Sequence, residues 1–469
     1  MARKSFLSKF RSAEPAVFLY AFGLILHSIL IQQYIYDRAS EDKGYNNTFN
    51  SRTKCVNDSE VRDEVQSETS FYVFGLTAVS GAPSLVTGLL LGSWSDKVGR
   101  KPAMCLPCFG ALVETSLTLL VVYYDWPLFV LFFGGFINGM TGYFSAMILA
   151  TMAYIADTSD ESTRATRVGI LEFFVFIGGT VGQAMSGKMI ESNQGYEAPY
   201  WIVCGCILAA FIHAVFLVPE TLSKEHRDGS VKFFDWKHFQ NVREVVRTRR
   251  NDDESNLRAL IILNFLLFLS NYGVATVTIL FLLDRPLCWS PLDIGLYCAE
   301  RYFCLGVGAV LGVKILVKCF KIIHIIYFGL LTYSASLVLF AFADKTALVV
   351  PVPVLGMFIG AVMAFFRGTM SKEVSSAEQG SLFAAIGFMD VLAVVCSSAI
   401  FNLLYPLSLK FDFNGASFLA AGGLGLVVLY LTKNLTDGVF ESSAREIKPQ
   451  EIRIEENTPL LSDIDQQPT

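Results

Sequence analysis

Charge is scarce in this chain. Asp, Glu, Lys and Arg make up only 17% of its 469 residues, while hydrophobic residues make up 53%. A soluble domain carries roughly 25% charged residues, so a water-exposed globular chain is excluded. The deficit is concentrated in uncharged stretches of about 20 residues, enough for a helix to cross the hydrocarbon core. Twelve are predicted, near residues 15–36, 70–92, 102–123, 127–152, 166–189, 199–218, 257–283, 293–317, 322–343, 346–370, 381–404 and 413–432. Lipid offers no partner to a bare backbone, so the spans must be helices. They are too long and too uniformly apolar for barrel strands. The expected class is an all-α membrane protein with twelve transmembrane helices.

Catalytic signatures are also missing. No zinc-ligand spacing, nucleophile elbow or Walker loop occurs, so nothing points to an enzyme, a metal site or a nucleic-acid partner. Seven-helix receptors have too few spans. The basic start, with Arg3, Lys4, Lys9 and Arg11, runs into a full-length span and reads as a signal anchor rather than a cleavable signal.

What is present has an order. A polar insert at 219–256 separates residues 1–218 from 257–432, six spans on each side, followed by a polar tail, 433–469, expected to be disordered. Two similar halves rocking about a central site is a transporter layout. Lys and Arg gather in the central insert (Lys224, Arg227, Arg243, Arg247, Arg249, Arg250) and in the loops after spans two, four, eight and ten. The positive-inside rule then places both termini and the insert in the cytosol. The loop 37–69 falls on the opposite side, where its sequons at Asn46 and Asn57 are plausible glycan acceptors. Of ten cysteines, seven lie in spans and Cys319 faces the cytosol, leaving Cys55 and Cys288 on the oxidising side as one expected bridge.

After span two comes Gly92-Ser-Trp-Ser-Asp96-Lys-Val-Gly99-Arg100-Lys101. It fits G-x-x-x-D-x-x-G-R-K, the loop between helices two and three of major facilitator transporters. Gly99 permits a tight turn. Asp96 can bond helix N-termini or pair with a cation across the half-interface, so the expected role of Asp96, Gly99 and Arg100 is gating. Asp157, at the end of span four, is expected to join that gate with Arg164 or Arg167.

An ionisable group inside a span is a functional hypothesis, because an unpaired charge there costs roughly 2.5–3.5 kcal/mol. Glu172 in span five is followed by Gly178 and Gly182, spaced for close helix packing. Burial raises a carboxyl's affinity for protons, as coupling requires; the bland reading is an ion pair across helices. Glu114, Asp390, and the neighbours Glu300 and Arg301, are further candidates to contact substrate. Arg367 either meets an anionic substrate or snorkels to the interface. His27 is a weak relay candidate. In the tail, Glu456-Asn-Thr-Pro-Leu460-Leu461 is an acidic dileucine pattern of the kind read by clathrin-adaptor sorting proteins.

The chain resembles solute carrier family 46, the proton-coupled folate transporter family. The segments that carry the likeness are Ser95–Lys101, Ala156-Asp157-Thr-Ser, Arg167-Val-Gly-Ile-Leu-Glu172, Pro286-Leu-Cys288-Trp289, Glu378-Gln-Gly380-Ser-Leu-Phe383 and Ile400-Phe-Asn402-Leu-Leu-Tyr405-Pro406. The resemblance implies a major facilitator fold of two six-helix halves, with Glu172 the proton-coupling glutamate and Arg367 the helix-ten arginine. It also implies Cys55–Cys288 as the family's luminal bridge. Asn271 stands where the folate carrier has a histidine, which argues against folate. With its dileucine tail the chain looks most like the lysosomal third member. The expected function is proton-coupled export of amphipathic organic anions, such as steroid conjugates and bile acids, from lysosome to cytosol. The proton is the coupling ion and no cofactor is expected. Alternatives are plasma-membrane uptake of folate-like or muropeptide-like anions, and a transport-dead scaffold or sensor.

Overall fold

A computed structural model describes residues 12–44, 59–222, 254–374 and 379–433, apart from 160, 194 and 412. Twelve helices in it are long and apolar enough to cross a membrane. We label them α1 (Glu14–Asp42), α2 (Ser59–Val98), α3 (Arg100–Tyr124), α4 (Val130–Thr158), α5 (Glu161–Asn193), α6 (Glu197–Phe216), α7 (Glu254–Leu283), α8 (Pro291–Cys319), α9 (Ile322–Ala341), α10 (Thr346–Lys372), α11 (Gln379–Leu409) and α12 (Ala416–Lys433). An even number of crossings puts Glu14 and Lys433 at one end of the bundle, here the terminal face; the other end is the far face.

Each half is knit by its own helices. In the first, α1 packs on α5 and α6, and α3 on α4 and α6; in the second, α7 packs on α11 and α12, and α9 on α10 and α12. Two seams join the halves, α2 against α11 and α5 against α8. The α5–α8 seam is tight at Gly187, where an added Cβ would lie 2.0 Å from the Pro291 carbonyl oxygen. Gly187→Val is therefore expected to force the helices apart, at a cost of at least about 1–3 kcal/mol. Thermal stability in detergent should fall sharply, whereas Gly205→Val, with nothing within 4 Å of its added Cβ, should leave it unchanged. Equal stability of the two variants would refute this account of the seam. Gly178 and Gly182 likewise press α5 onto the α1 backbone, at Phe22.

Two of the predicted limits shift. The polar loop expected at 37–69 is shorter, because α1 runs on to Asp42 and α2 begins at Ser59. Hydropathy marks what touches lipid; a helix can continue past it with polar residues, and these do. The fourth helix of each half is broken. In α4 the helix stops at Met140 and resumes at Tyr143, with Gly142 at φ 96° and Tyr143 at φ 54°. A non-glycine residue at positive φ is strained and persists only where surroundings impose it. At the break the Gly139 carbonyl accepts from the Gly142 amide at 3.0 Å and, as a second donor, from Thr87 Oγ1 at 3.0 Å, so the interrupted backbone stays satisfied. In α10, Val350 and the turn at Gly356–Phe358 divide the span into Thr346–Val349, Pro351–Leu355 and Ile359–Lys372.

Candidate transport site

The far face is sealed between the halves by polar contacts. Arg62 on α2 meets Asp284, just past the end of α7, at 3.2 Å. Asp284 is fully buried and also accepts from Asn414 at the start of α12. Gln66 on α2 donates to the Leu280 carbonyl on α7 at 3.2 Å, and Glu191 on α5 accepts from the Leu292 amide at 3.4 Å. Burial lifts the Asp284 carboxyl to about 6, with the Arg62 charge working in the opposite direction. Cys288, in the same loop, is disulfide-bonded; Cys55 lies outside the described residues, as do Asn46, Asn57, Glu456, Leu460 and Leu461.

Closer to the terminal face, the halves hold ionisable groups toward one another. Arg367 on α10 donates to Asp390 on α11 at 2.7 Å, and Asn264 on α7 donates to the same carboxylate at 2.8 Å. The Arg367 guanidinium carbon lies 4.8 Å above the Phe268 ring, a cation–π contact. Its side chain keeps 41% exposure inside the bundle, so it borders an opening; it does not snorkel away from its partner. Glu172, on α5 of the other half, is exposed and within electrostatic reach of Arg367. This places Glu172 opposite an ion pair rather than within one.

At mid-depth, Arg301 on α8 donates to the Asn271 carbonyl on α7 at 3.0 Å and to its side-chain oxygen at 3.5 Å. Glu300 makes no ion pair with Arg301 among the described residues; its electrostatic neighbours are Tyr297 and Cys304 on its own helix. Tyr143, at the α4 break, lies within electrostatic range of Tyr272 and Tyr302 of the second half and of Glu114. Glu114 is bonded by Asn138 and packed against Gly134 and Gly135 of α4, so it fastens α3 to α4. His27 is buried edge-on to Tyr200, and its Nδ1 has no hydrogen-bond partner among the described residues.

The terminal-face network departs from expectation. Asp157, expected in a gate with Arg164 or Arg167, accepts from Arg100 Nε at 2.9 Å and Thr221 Oγ1 at 3.0 Å; the Arg164 side chain lies outside the described ones. Arg167 pairs with Glu14 on α1 at 2.8 Å, because α5 lies against α1 there. Gly99 makes the expected sharp turn, at φ 133°. Among the described side chains, Glu220 bonds the α3 N-terminus: it accepts from the Arg100 and Lys101 amides at 2.9 and 3.2 Å. The Asp96 side chain lies outside the described ones. Glu220 was missed, though an acid straight after span six and Pro219, level with the Gly99 turn, was a usable signal. Arg100 and Asp157 belong to the first half, while Glu220 and Thr221 begin the insert that follows it.

Twelve helices in two halves, sealed at one end and facing each other with charged groups toward the other, define a secondary membrane transporter. The model of the Major Facilitator Superfamily matches residues 15–398. Among curated relatives, the Rattus norvegicus proton-coupled folate transporter is 31% identical, over 88% of this chain and 89% of its own. The Gallus gallus lysosomal proton-coupled steroid conjugate and bile acid symporter SLC46A3 is 29% identical over 89% and 92%; its Homo sapiens counterpart is 30% identical over 88% and 92%. The chain thus belongs to solute carrier family 46 of the major facilitator superfamily, and it is a transporter, not an enzyme. Of solved structures, the human organic anion transporter MFSD10 superposes with a TM-score of 0.63 at 16% identity, covering 90% of this chain and 99% of that one.

Proposed function

We propose that the chain is a proton-coupled symporter that moves amphipathic organic anions from the lysosomal lumen to the cytosol, with the far face luminal and both termini cytosolic. The observation that carries this reading is Glu172 standing across the half-interface from the Arg367–Asp390 pair. When ionised, Glu172 attracts Arg367 and draws the halves together at the terminal face. A proton taken from the acidic lumen removes that attraction and lets the face open; losing the proton to the neutral cytosol restores it. The curated names of the symporter relatives support lysosomal residence and steroid-like anions. Uptake of folate-like anions at the plasma membrane is the second reading, favoured by the 31% identity to the folate transporter. Asn271 in place of histidine weighs against it.

Proteoliposome flux under an imposed pH gradient tests the proposal. Uptake of a radiolabelled steroid sulfate should require acid on the far-face side, and a chain that gives no flux is a scaffold or sensor. The address is tested separately. Leu460→Ala with Leu461→Ala is expected to move the protein to the cell surface, and persistent lysosomal staining would reject sorting through the tail. Pairing of Cys55 with Cys288, and glycans on Asn46 and Asn57, complete the luminal side of the proposal.

A further inference from the structure

The two arginines in the opening are not equivalent. Arg367 is balanced: Asp390 holds it at 2.7 Å and Phe268 covers it. Arg301 has no carboxylate within ion-pair distance among the described residues, and its named acceptors are the two neutral oxygens of Asn271. A guanidinium held at mid-span without a counter-charge is costly, and such a charge persists where function requires it. Four tyrosines, Tyr272, Tyr297, Tyr302 and Tyr333, lie within electrostatic reach of it. Tyr297 and Tyr333 are buried, while Tyr272 keeps 37% exposure and Tyr302 is part-exposed. Tyr302 also presses on Gly179 of the opposite half, where an added Cβ would lie 2.8 Å from its ring.

We propose that Arg301 is the docking point for the substrate's anionic group, with Tyr272 and Tyr302 forming the wall against its ring system, while Arg367 serves the proton switch. This rests on the transporter reading above and names the ligand class for the same opening: a single sulfate or carboxylate on a flat, rigid body. The fork of a guanidinium matches either oxyanion with two parallel N–H donors. Asn271 acts as the rest on which Arg301 is held before the anion arrives. Arg301 also sits on α8, one of the two seam helices, so an anion bound there lies beside the surface along which the halves move.

The test is saturable uptake into proteoliposomes of a radiolabelled steroid sulfate and, separately, of a radiolabelled bile acid. Arg301→Gln is expected to raise KM for both by about tenfold to a hundredfold, with the maximal rate and the pH profile retained. Arg301→Lys, which keeps the charge but not the fork, should recover part of the loss. Arg367→Gln should instead lower the maximal rate and flatten the pH profile. The uncharged parent steroid should inhibit wild type and Arg301→Gln equally. An unchanged KM in Arg301→Gln, or a loss confined to maximal rate, would overturn the proposal. Thermal-shift titration of the purified protein with the steroid sulfate separates the two levels. Arg301-dependent stabilisation without flux sinks the transport reading alone; stabilisation that survives Arg301→Gln sinks the docking site alone. Should Arg301→Gln fail to fold, the Lys variant carries the same KM comparison.

Discussion

Replacing Glu172 by glutamine is expected to abolish accumulation driven by a pH gradient while leaving downhill exchange of substrate intact. Glutamine matches the carboxyl in size and can still hydrogen-bond, but it can neither carry the proton nor attract Arg367. Each pH unit of gradient is worth about 1.4 kcal/mol per coupled proton, or roughly tenfold accumulation. With one coupled proton and two units of gradient, the variant should lose about a hundredfold in steady-state ratio. Counterflow, with equal pH on both sides, should proceed near the wild-type rate, because the neutral side chain mimics the protonated carrier. If the glutamine variant accumulates substrate like wild type, Glu172 is not the coupling group and Asp390 becomes the next residue to substitute.

The second large effect concerns Asp284. Burial holds its carboxyl near 6 in the sealed far face, whereas a solvated aspartate titrates near its ordinary value, about 3.9. Between these values the closed state keeps a proton that the open state releases. Acid therefore favours closure; the advantage is full below about 4 and is lost as pH rises through 6. A difference of two units is worth on the order of 3 kcal/mol. The neighbours bearing on this titration are Arg62, Asp63 and Arg285, with Tyr405 and Asn414 completing the contact. Hydrogen-exchange protection at the far-face ends of α2 and α7, taken relative to the intrinsic rate at each pH, should rise as pH falls from 7 to 4 in wild type. In Asp284→Asn it should be high throughout. Protection that falls on acidification would mean that the Arg62 bridge, rather than burial, governs the face. In the proposed orientation this switch works in the same direction as Glu172: an acid lumen shuts its own side and releases the other.

What could be read in advance follows physical range. The spans were legible because lipid imposes a local rule, about 20 apolar residues in a row. Glu172, Arg367 and Asp390 were legible as anomalies within them. Their grouping was not, since it depends on which faces of α5, α10 and α11 meet. At Asp157 and Arg167 nearness in sequence is a poor guide: helix packing brings Arg100 and Thr221 to Asp157 and Glu14 to Arg167. Glu14 and Glu220, at the ends of spans one and six, raised no signal as intramembrane charges and acquire partners only when the helices assemble. The α4 break was hidden too. Gly142 alone does not announce one, and the strained Tyr143 is visible only in three dimensions.

The clamp of Arg100, Asp157, Thr221 and Glu220 has a mechanical consequence. It fastens the start of the insert to the terminal ends of α3 and α4, and none of its four residues lies in the second half. The contacts between the halves fall instead at the α2–α11 and α5–α8 seams, the second pressed close at Gly187, a surface suited to sliding rather than bending.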